Sequence, residues 1–559
     1  MSKIIQQVKS KLDQALLDAL AQYTQIPEGF DFITEIPDDL NHGIFATNIA
    51  MISARLLSMP PRKIAQLLID KLDFTDMLLE RSEIAGPGFI NFFPKSELFP
   101  MILKEVMDHK DTYGKSDYGN GEKVQVEFVS ANPTGPMHLG NARGGALGDC
   151  LSAVLSAAGY NVSKEFYIND AGNQIDKFAK SLEARYLQII DGEDSVEFPE
   201  DGYHGEDITE LAKEYFDKYG NDLYEIDPET RKQKLVDFAL PKNIAKMKSD
   251  LEKYRITYDN WFYESSLHKS GQVKETIDIL KEKGMTYEKD GALWFKTTDL
   301  GLDKDEVLLR ANGFPTYFAV DIAYHRNKFI VRGFDKCIDV WGADHHGHVA
   351  RMKSSMSALG VDPSKLDVVL MQLVKLVRNG EIVKMSKRTG KAIQLADLLD
   401  EVPVNAARFY FNLRESNSQM DFDLDLAVKE DSQNPVYYVQ YAHARICSIV
   451  KNLAAMGVKI KNCSVEDLMI LQSPEELDII RQLAKLTEEI QIAAKTYNPS
   501  RITRYVIDLA TLFHKFYNSC RVKCDDEKLM LARLTLCDAV RVVLKNILVM
   551  FKIDAPEVM

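Results

Sequence analysis

Hydrophobic and polar positions follow three rhythms along the chain. At the N-terminus, "MSKIIQQVKSKLDQALLDAL" carries its charges at helical intervals and predicts an amphipathic helix. A segment around "GIFATNIAMISARLL", a second helix and the apolar strand "GPGFINFFP" complete a small α+β unit over residues 1 to about 112. The polar stretch "HKDTYGKSDYGNGEK" then reads as a linker. Beyond it the rhythm changes to strand, turn and helix. The β-branched run "VQVEFVS" leads into "ANPTGPMHLGNARGG", then into "GGALGDCLSAVLSAAGY", which has helical spacing with small residues on one face, and then into the strand "VSKEFYI". Sheet signals return in "ALWF", "PTYFAVDIAYH", "CIDVWGADHHGH" and "LDVVLMQLVKLV", each ending in polar residues. This pattern predicts an α/β domain with a Rossmann-like, doubly wound parallel sheet over residues 113–400. A heavily charged helical stretch, about 178–255, reads as an insertion in it. Past about 400 the strand signal fades. Residues 401–430 read as a connecting segment and 431–559 as an all-α helical bundle.

Length and composition narrow the class. A chain of 559 residues needs several domains, and 45% hydrophobic with 27% charged residues suits a folded soluble protein. No apolar run is long enough to predict a membrane span, and no signal-peptide core opens the chain, so a cytoplasmic location is expected. The seven cysteines form no CxxC pair and are expected as free thiols, with no structural zinc and no other resident metal. A net charge of −14 excludes general affinity for nucleic acid, so a polyanion must be met locally. Stretches such as "YAHARICSIVKNLAAMGVKIKN" and "SRITRYVIDLATLFHKFYNSCRVK" mix cations with aromatics, and on composition alone they also suit a solvated helix face over an aromatic core.

Two features carry candidate chemistry. In the first turn, Pro133 and Pro136 hold the chain extended and Gly135 and Gly140 permit close backbone approach. A helix beginning near Asn141 would then offer free N–H groups to a phosphate, beside His138. The turn is neither a Walker loop nor a dinucleotide fingerprint, and alone it could equally be a tight structural corner. The second feature is "KMSKRTGK", whose Lys384 and Lys387 flank Ser386 in a cationic loop of the kind that neutralises a polyphosphate during reaction. By itself such a run could equally be a solvated loop. Asp344, His345, His346 and His348 in "DHHGH" have metal-ligand chemistry, but on an extended segment adjacent histidines point to opposite sides and do not close a tetrahedral shell.

Together, His-x-Gly-Asn after the first strand and Lys-Met-Ser-Lys-Arg after the last resemble the two signatures of class I aminoacyl-tRNA synthetases. The blocks "EFVSANPTGPMHLGNARGG", "YINDAGNQI", "YFAVDIAYH", "GADHHGH", "FYFNLRESNSQMDFDLDLA" and "NPVYYVQYAHARI" narrow this to a resemblance to the arginyl-tRNA synthetase family, which extends over nearly the whole chain. The resemblance implies ATP-dependent attachment of L-arginine to tRNA(Arg) by a monomer, with Mg²⁺ bound to the ATP. It implies catalytic roles for His138, Lys384 and Lys387, and ATP contacts from those residues with Gly140, Asn141, Gly342, Asp344 and Ser386. Arginine contacts are implied for Ser130, Ala131, Asn132, Asn141, Glu264, Tyr317, Asp321 and His345, with Glu127 close by. A guanidinium is planar and needs carboxylates and coplanar acceptors, which Asp321, Glu264 and Tyr317 could supply. The N-terminal unit resembles that family's tRNA-contacting domain. Tyr441, Arg445, Tyr505, Tyr517 and Arg521 are anticodon-binding candidates, and "DAVR", Asp538 to Arg541, resembles the sequence that names the helical domain. Three positions depart from the family pattern: Asn141 stands where a second histidine is usual, His345 where many members carry glutamine, and Ile44 where an aspartate is usual. The alternatives are a class I synthetase for another amino acid, cysteine above all, a tRNA-binding paralogue without catalysis, and a nucleotidyltransferase, which would not need the long helical domain.

Overall fold

The computed structural model describes residues 2–37, 39–383 and 393–559. Its centre is a five-stranded sheet with every neighbouring pair parallel, in the spatial order Leu366–Met371, Lys336–Gly342, Lys123–Glu127, Asn161–Ile168, Asn260–Tyr263. Read by chain order these strands lie 5-4-1-2-3. The order therefore reverses between the strand ending at Glu127 and the strand ending at Gly342, the place where open α/β sheets bind ligands. The helix Leu139–Ala157 crosses from the first strand to the second. Its small face has a steric cause: a Cβ on Gly148 would sit 2.2 Å from Cγ of Phe128, so only glycine lets helix and strand pack this closely.

Around this sheet lie the other predicted parts. The N-terminal unit is a four-stranded antiparallel sheet flanked by helices, including Lys3–Ala21, whose Ser2 cap accepts from the Ile5 N–H. Ile44 is fully buried there. Three charged helices, Asn173–Asp191, Glu206–Tyr219 and Pro228–Lys253, enclose their own core around Phe178, Tyr186 and Leu235. The C-terminal part is a bundle of the long helices Pro435–Ala455, Pro474–Lys495, Ser500–Ser519 and Glu527–Met550. Fully buried Arg408 ties the parts together by donating to Asp149 Oδ2 at 2.5 Å and to the carbonyls of Phe551 (2.7 Å) and Tyr254 (3.0 Å). Among the described residues no helix is long and apolar enough to cross a membrane.

Several sequence expectations are corrected. "PTYFAVDIAYH" is not a strand but the helix Tyr317–Arg326, capped by Thr316. Every residue from Phe318 to Arg326 is buried, so the amphipathic period that marks a helix is missing. "GADHHGH" is extended only to Gly342. A short 3₁₀ turn, Ala343–His345, leads directly into the helix His346–Leu359, so the argument from an extended segment does not apply. "ALWF" belongs to a separate three-stranded antiparallel sheet, and "LDVVLMQLVKLV" divides into Leu366–Met371 and Val374–Arg378. The strand Met420–Asp423 lies beyond 400 and pairs in parallel with Val374–Arg378. It is only four residues long, too short for a clear alternation.

Candidate active site

The first signature is built as a cap. The helix starts at Leu139, two residues earlier than expected, because His138 is its N-cap. His138 Nδ1 accepts from the Gly140 N–H at 3.1 Å, and Asn141 Oδ1 accepts from the His138 N–H at 2.9 Å. This reciprocal pair gives Asn141 a definite role: a histidine at that position would have to reproduce the acceptor with a ring nitrogen. With Nδ1 used as acceptor, the neutral imidazole carries its hydrogen on Nε2 and can donate from it. Desolvation at the cavity lip pushes the imidazole pKa below its ordinary value, which favours that neutral form. Arg143, in the same motif, is structural. It is 1% exposed and donates to the carbonyls of Gln372, Ser418 and Glu415, which ties the signature helix to the far edge of the sheet.

Just before the cap the backbone leaves the strand through Val129 (φ 71°) and Ser130 (φ 41°). Positive φ at a β-branched residue is costly and persists only where surroundings impose it. Here Ser130 Oγ donates to Glu127 Oε1 at 2.8 Å and accepts from the Tyr167 N–H at 3.1 Å. The strained turn thus opens a cavity of about 670 Å³ lined by Ser130, Ala131, Asn132, His138, Asn141, Tyr317 and His345, with Tyr203 and Asp207 from the charged insertion closing one side. A narrower pocket of about 150 Å³ shares Ser130, Tyr317 and His345 with it and reaches Asp321, Gly342 and His348.

Seven of the residues expected near arginine or the nucleotide therefore meet in one cavity, and Asp321 and Gly342 join them through the deeper pocket. Glu264 lines neither space; it is linked to the deeper one through Tyr167, whose hydroxyl donates to Glu264 Oε2 at 2.6 Å. Burial pushes the Glu264 carboxyl up to about 7, opposed by the Tyr167 hydrogen bond and reinforced by the charge of Asp321. Asp344 is not brought into either space: its side chain is 82% exposed, and its Oδ2 lies 3.7 Å from His345 Nε2. Lys384, Ser386 and Lys387 lie outside the described residues. Gln394, beyond that run, forms a β-bridge with His138, and the Leu395 N–H donates to the Met137 carbonyl at 2.8 Å, so residues 394 and 395 meet the first signature.

Beneath the pocket lies a layer that sequence reasoning missed. Asp339, Glu127 and Glu165 stand side by side in register on three adjacent strands. Lys328, fully buried, donates to Glu127 Oε2 (2.6 Å) and Asp339 Oδ1 (2.8 Å), and Arg332 donates to both oxygens of Glu165. Tyr324 bridges Glu127 and Glu165, and His325 Nε2 meets Asp339 Oδ2 at 2.8 Å. At Asp339 burial alone would raise the carboxyl, but Lys328 and His325 outweigh it and hold it down at about 2. At Glu127 burial outweighs Lys328 and the carboxyl is raised.

In the helical domain, Arg445 lies over the rings of Tyr517 (4.3 Å) and Tyr441 (5.2 Å), and Tyr441 stacks on Tyr437 and His514. Tyr437, Tyr441 and Arg445 fall on one helix face at four-residue spacing, the signal that could have added Tyr437. Tyr505 is corrected. It is 3% exposed and its hydroxyl donates to the Gln482 carbonyl, so it packs the core and offers no face to a base. Arg521 is exposed, and its carbonyl accepts from Arg533 at 2.8 Å. Arg541 of "DAVR" is bound to Asp538 within the helix.

Known proteins agree with this architecture. Residues 102–448 match the family model "tRNA synthetases class I (R), catalytic domain", residues 439–559 the "DALR anticodon binding domain" and residues 4–93 the "Arginyl tRNA synthetase N terminal domain". The chain is 56% identical to the arginine–tRNA ligase of Caldanaerobacter subterraneus subsp. tengcongensis and 53% identical to that of Acetivibrio thermocellus, each comparison covering 100% of both chains. The solved Thermus thermophilus arginyl-tRNA synthetase superposes with a TM-score of 0.78 over 98% of this chain and 100% of that one, at 22% identity, and so shares the fold. On this evidence the chain belongs to the arginyl-tRNA synthetase family.

Proposed function

We propose that the chain is an arginine–tRNA ligase that activates L-arginine with ATP and transfers it to the terminal ribose of tRNA(Arg). One observation carries the specificity. Asp321 lines the deeper pocket and Glu264 is hydrogen-bonded to Tyr167, which also lines it, with no lysine or arginine paired to either carboxylate among the described residues, which supports a site whose missing cation an arginine side chain would bring. A neutral side chain would leave these carboxylates uncompensated, which disfavours it strongly.

In the first step an arginine carboxylate oxygen attacks the α-phosphorus of ATP, which enters with Mg²⁺ on its phosphates. The bond to the bridging oxygen breaks and pyrophosphate leaves. In the second step a ribose hydroxyl attacks the activated carbonyl, giving up its proton, and AMP departs. No side chain becomes covalent. The protein's contribution is alignment and electrostatic stabilisation. His138 would donate from Nε2 to phosphate oxygen at the N-terminal end of its helix, whose dipole favours an anion. Lys384 and Lys387 would add positive charge on the same phosphates. Ser130, Ala131 and Asn132 would hold the amino-acid backbone, with Asn141 and His345 at the seam of the two substrates, and Gly140 and Gly342 would let the nucleotide approach the backbone. The Tyr441, Tyr517 and Arg445 cluster would stack unpaired anticodon bases, with Arg521 as a further contact. Charged tRNA is consumed in translation, so we assign the activity to the cytoplasm. We assign the activity to a monomer, which the elution volume or light scattering of the free protein would check.

Pyrophosphate exchange with each of the twenty amino acids, with and without total tRNA, tests the proposal. Exchange with arginine alone is expected, and exchange driven by cysteine or lysine instead would overturn it.

A further inference from the structure

The neighbour of Asp321 was singled out in the sequence only as a possible metal ligand. His348 Nε2 lies 2.9 Å from Asp321 Oδ2, and the two side chains are 12% and 10% exposed. The imidazole is caged by aromatic rings, with centroids at 5.5 Å for Trp341, 5.9 Å for Phe318 and 6.4 Å for Tyr317. It stands in the first turn of the helix His346–Leu359, and it lines both the 150 Å³ pocket and a separate outer cavity of about 630 Å³. Asp321 Oδ1 makes no hydrogen bond to any described residue, whereas the Asp321 carbonyl accepts from His325 Nδ1 at 2.8 Å.

The consequence is geometric. A carboxylate on a helix can turn about its terminal torsion, which has a broad minimum. A donor on one oxygen stops that rotation and leaves the second oxygen to accept from a ligand in the pocket that both side chains line. Recognition of a planar guanidinium depends on that orientation, while an ammonium accepts a carboxylate from almost any direction. Resting on the assignment of Asp321 to the guanidinium pocket, we propose that His348 is a specificity-determining positioning residue: it holds the Asp321 carboxylate in the plane that selects arginine over lysine, and it does not itself touch the reacting atoms.

The test compares arginine and lysine in steady-state aminoacylation by the full-length enzyme, with His348→Ala, His348→Gln and His348→Leu variants. A hydrogen bond to a charged group is worth enough to change affinity by about ten- to hundredfold. His348→Ala is therefore expected to raise KM for arginine by about that factor, to leave kcat and the KM for ATP within about twofold, and to reduce discrimination against lysine. His348→Gln, which retains an N–H donor, should recover most of the loss, and His348→Leu, which fills the cage without a donor, should show the loss expected of alanine and supplies the test if the alanine variant fails to fold. Equal loss with Gln and Leu, or a fall in kcat with KM for arginine unchanged, would overturn the proposal. Failure of the unmodified protein to charge arginine would instead defeat the functional reading on which it rests.

Discussion

Two sets of acidic side chains occupy the carboxyl end of the same sheet and are neutralised in opposite ways. The ladder of Asp339, Glu127 and Glu165 is matched from within the chain by Lys328, Arg332, His325 and the Tyr324 hydroxyl. The pair above it, Asp321 and Glu264, receives an imidazole and a phenol but no lysine or arginine among the described residues. Both sets are buried, so solvation does not distinguish them. On the proposed function the difference is where the compensating charge comes from: the ladder, through the Glu127–Ser130 hydrogen bond, supports the turn at Val129 and Ser130, and the pair would receive its cation with the substrate.

The sharpest way to break this contrast is to remove the ladder's cation. Lys328→Met leaves Glu127 and Asp339 buried beside each other and should cost about 3–5 kcal/mol of stability in denaturant unfolding. A loss under about 1 kcal/mol would mean that the ladder is not sustained by Lys328. Next in size, Asp321→Ala should weaken arginine use by about 2–5 kcal/mol, read as kcat/KM, while ATP binding and the unfolding midpoint hold or improve. Equal loss for both substrates would move Asp321 out of the guanidinium pocket. In the helical domain, Arg445→Ala should raise the KM for tRNA by a stacking contribution of about 1–3 kcal/mol without changing tRNA-independent steps. A change confined to stability would reassign that cluster to packing. Smaller still, Tyr167→Phe removes the hydrogen bond that lowers the Glu264 carboxyl, so the pH midpoint of arginine binding should move upward. A downward move would show that the hydroxyl stabilises the protonated form.

How much of this was legible in the chain depended on burial. The two signatures, the strand from Lys123 to Glu127 and the long C-terminal helices follow from period and turn chemistry. The helix Tyr317–Arg326 did not, because it is buried on all sides and carries no polar face. The four polar residues His325 to Lys328 look like a solvated turn, yet each is at most 7% exposed, because their partners lie elsewhere: His325 and Lys328 meet Asp339 and Lys328 meets Glu127 on two strands, while Arg326 and Asn327 meet Glu275 and Gln272 on the helix Gln272–Glu282. Such pairing is a property of sheet register and of helix packing, which no local pattern encodes. The same holds for His348: its spacing from other histidines suggested a ligand set, and only the packing of two helices shows that it serves Asp321.

The most direct measurement is the proton balance of arginine binding. Glu264 is raised from the ordinary carboxylate range to about 7, so below that pH the free pocket holds a proton that the guanidinium must displace. Affinity for arginine should therefore rise with pH up to about 7 and level off above it. Calorimetric titration at pH 6 in buffers of different ionisation enthalpy should show release of close to one proton, falling toward zero by pH 8 and abolished at both by Glu264→Gln. Binding of arginine with no proton released at pH 6 would contradict the claim that this pair of carboxylates is left short of charge until the substrate arrives.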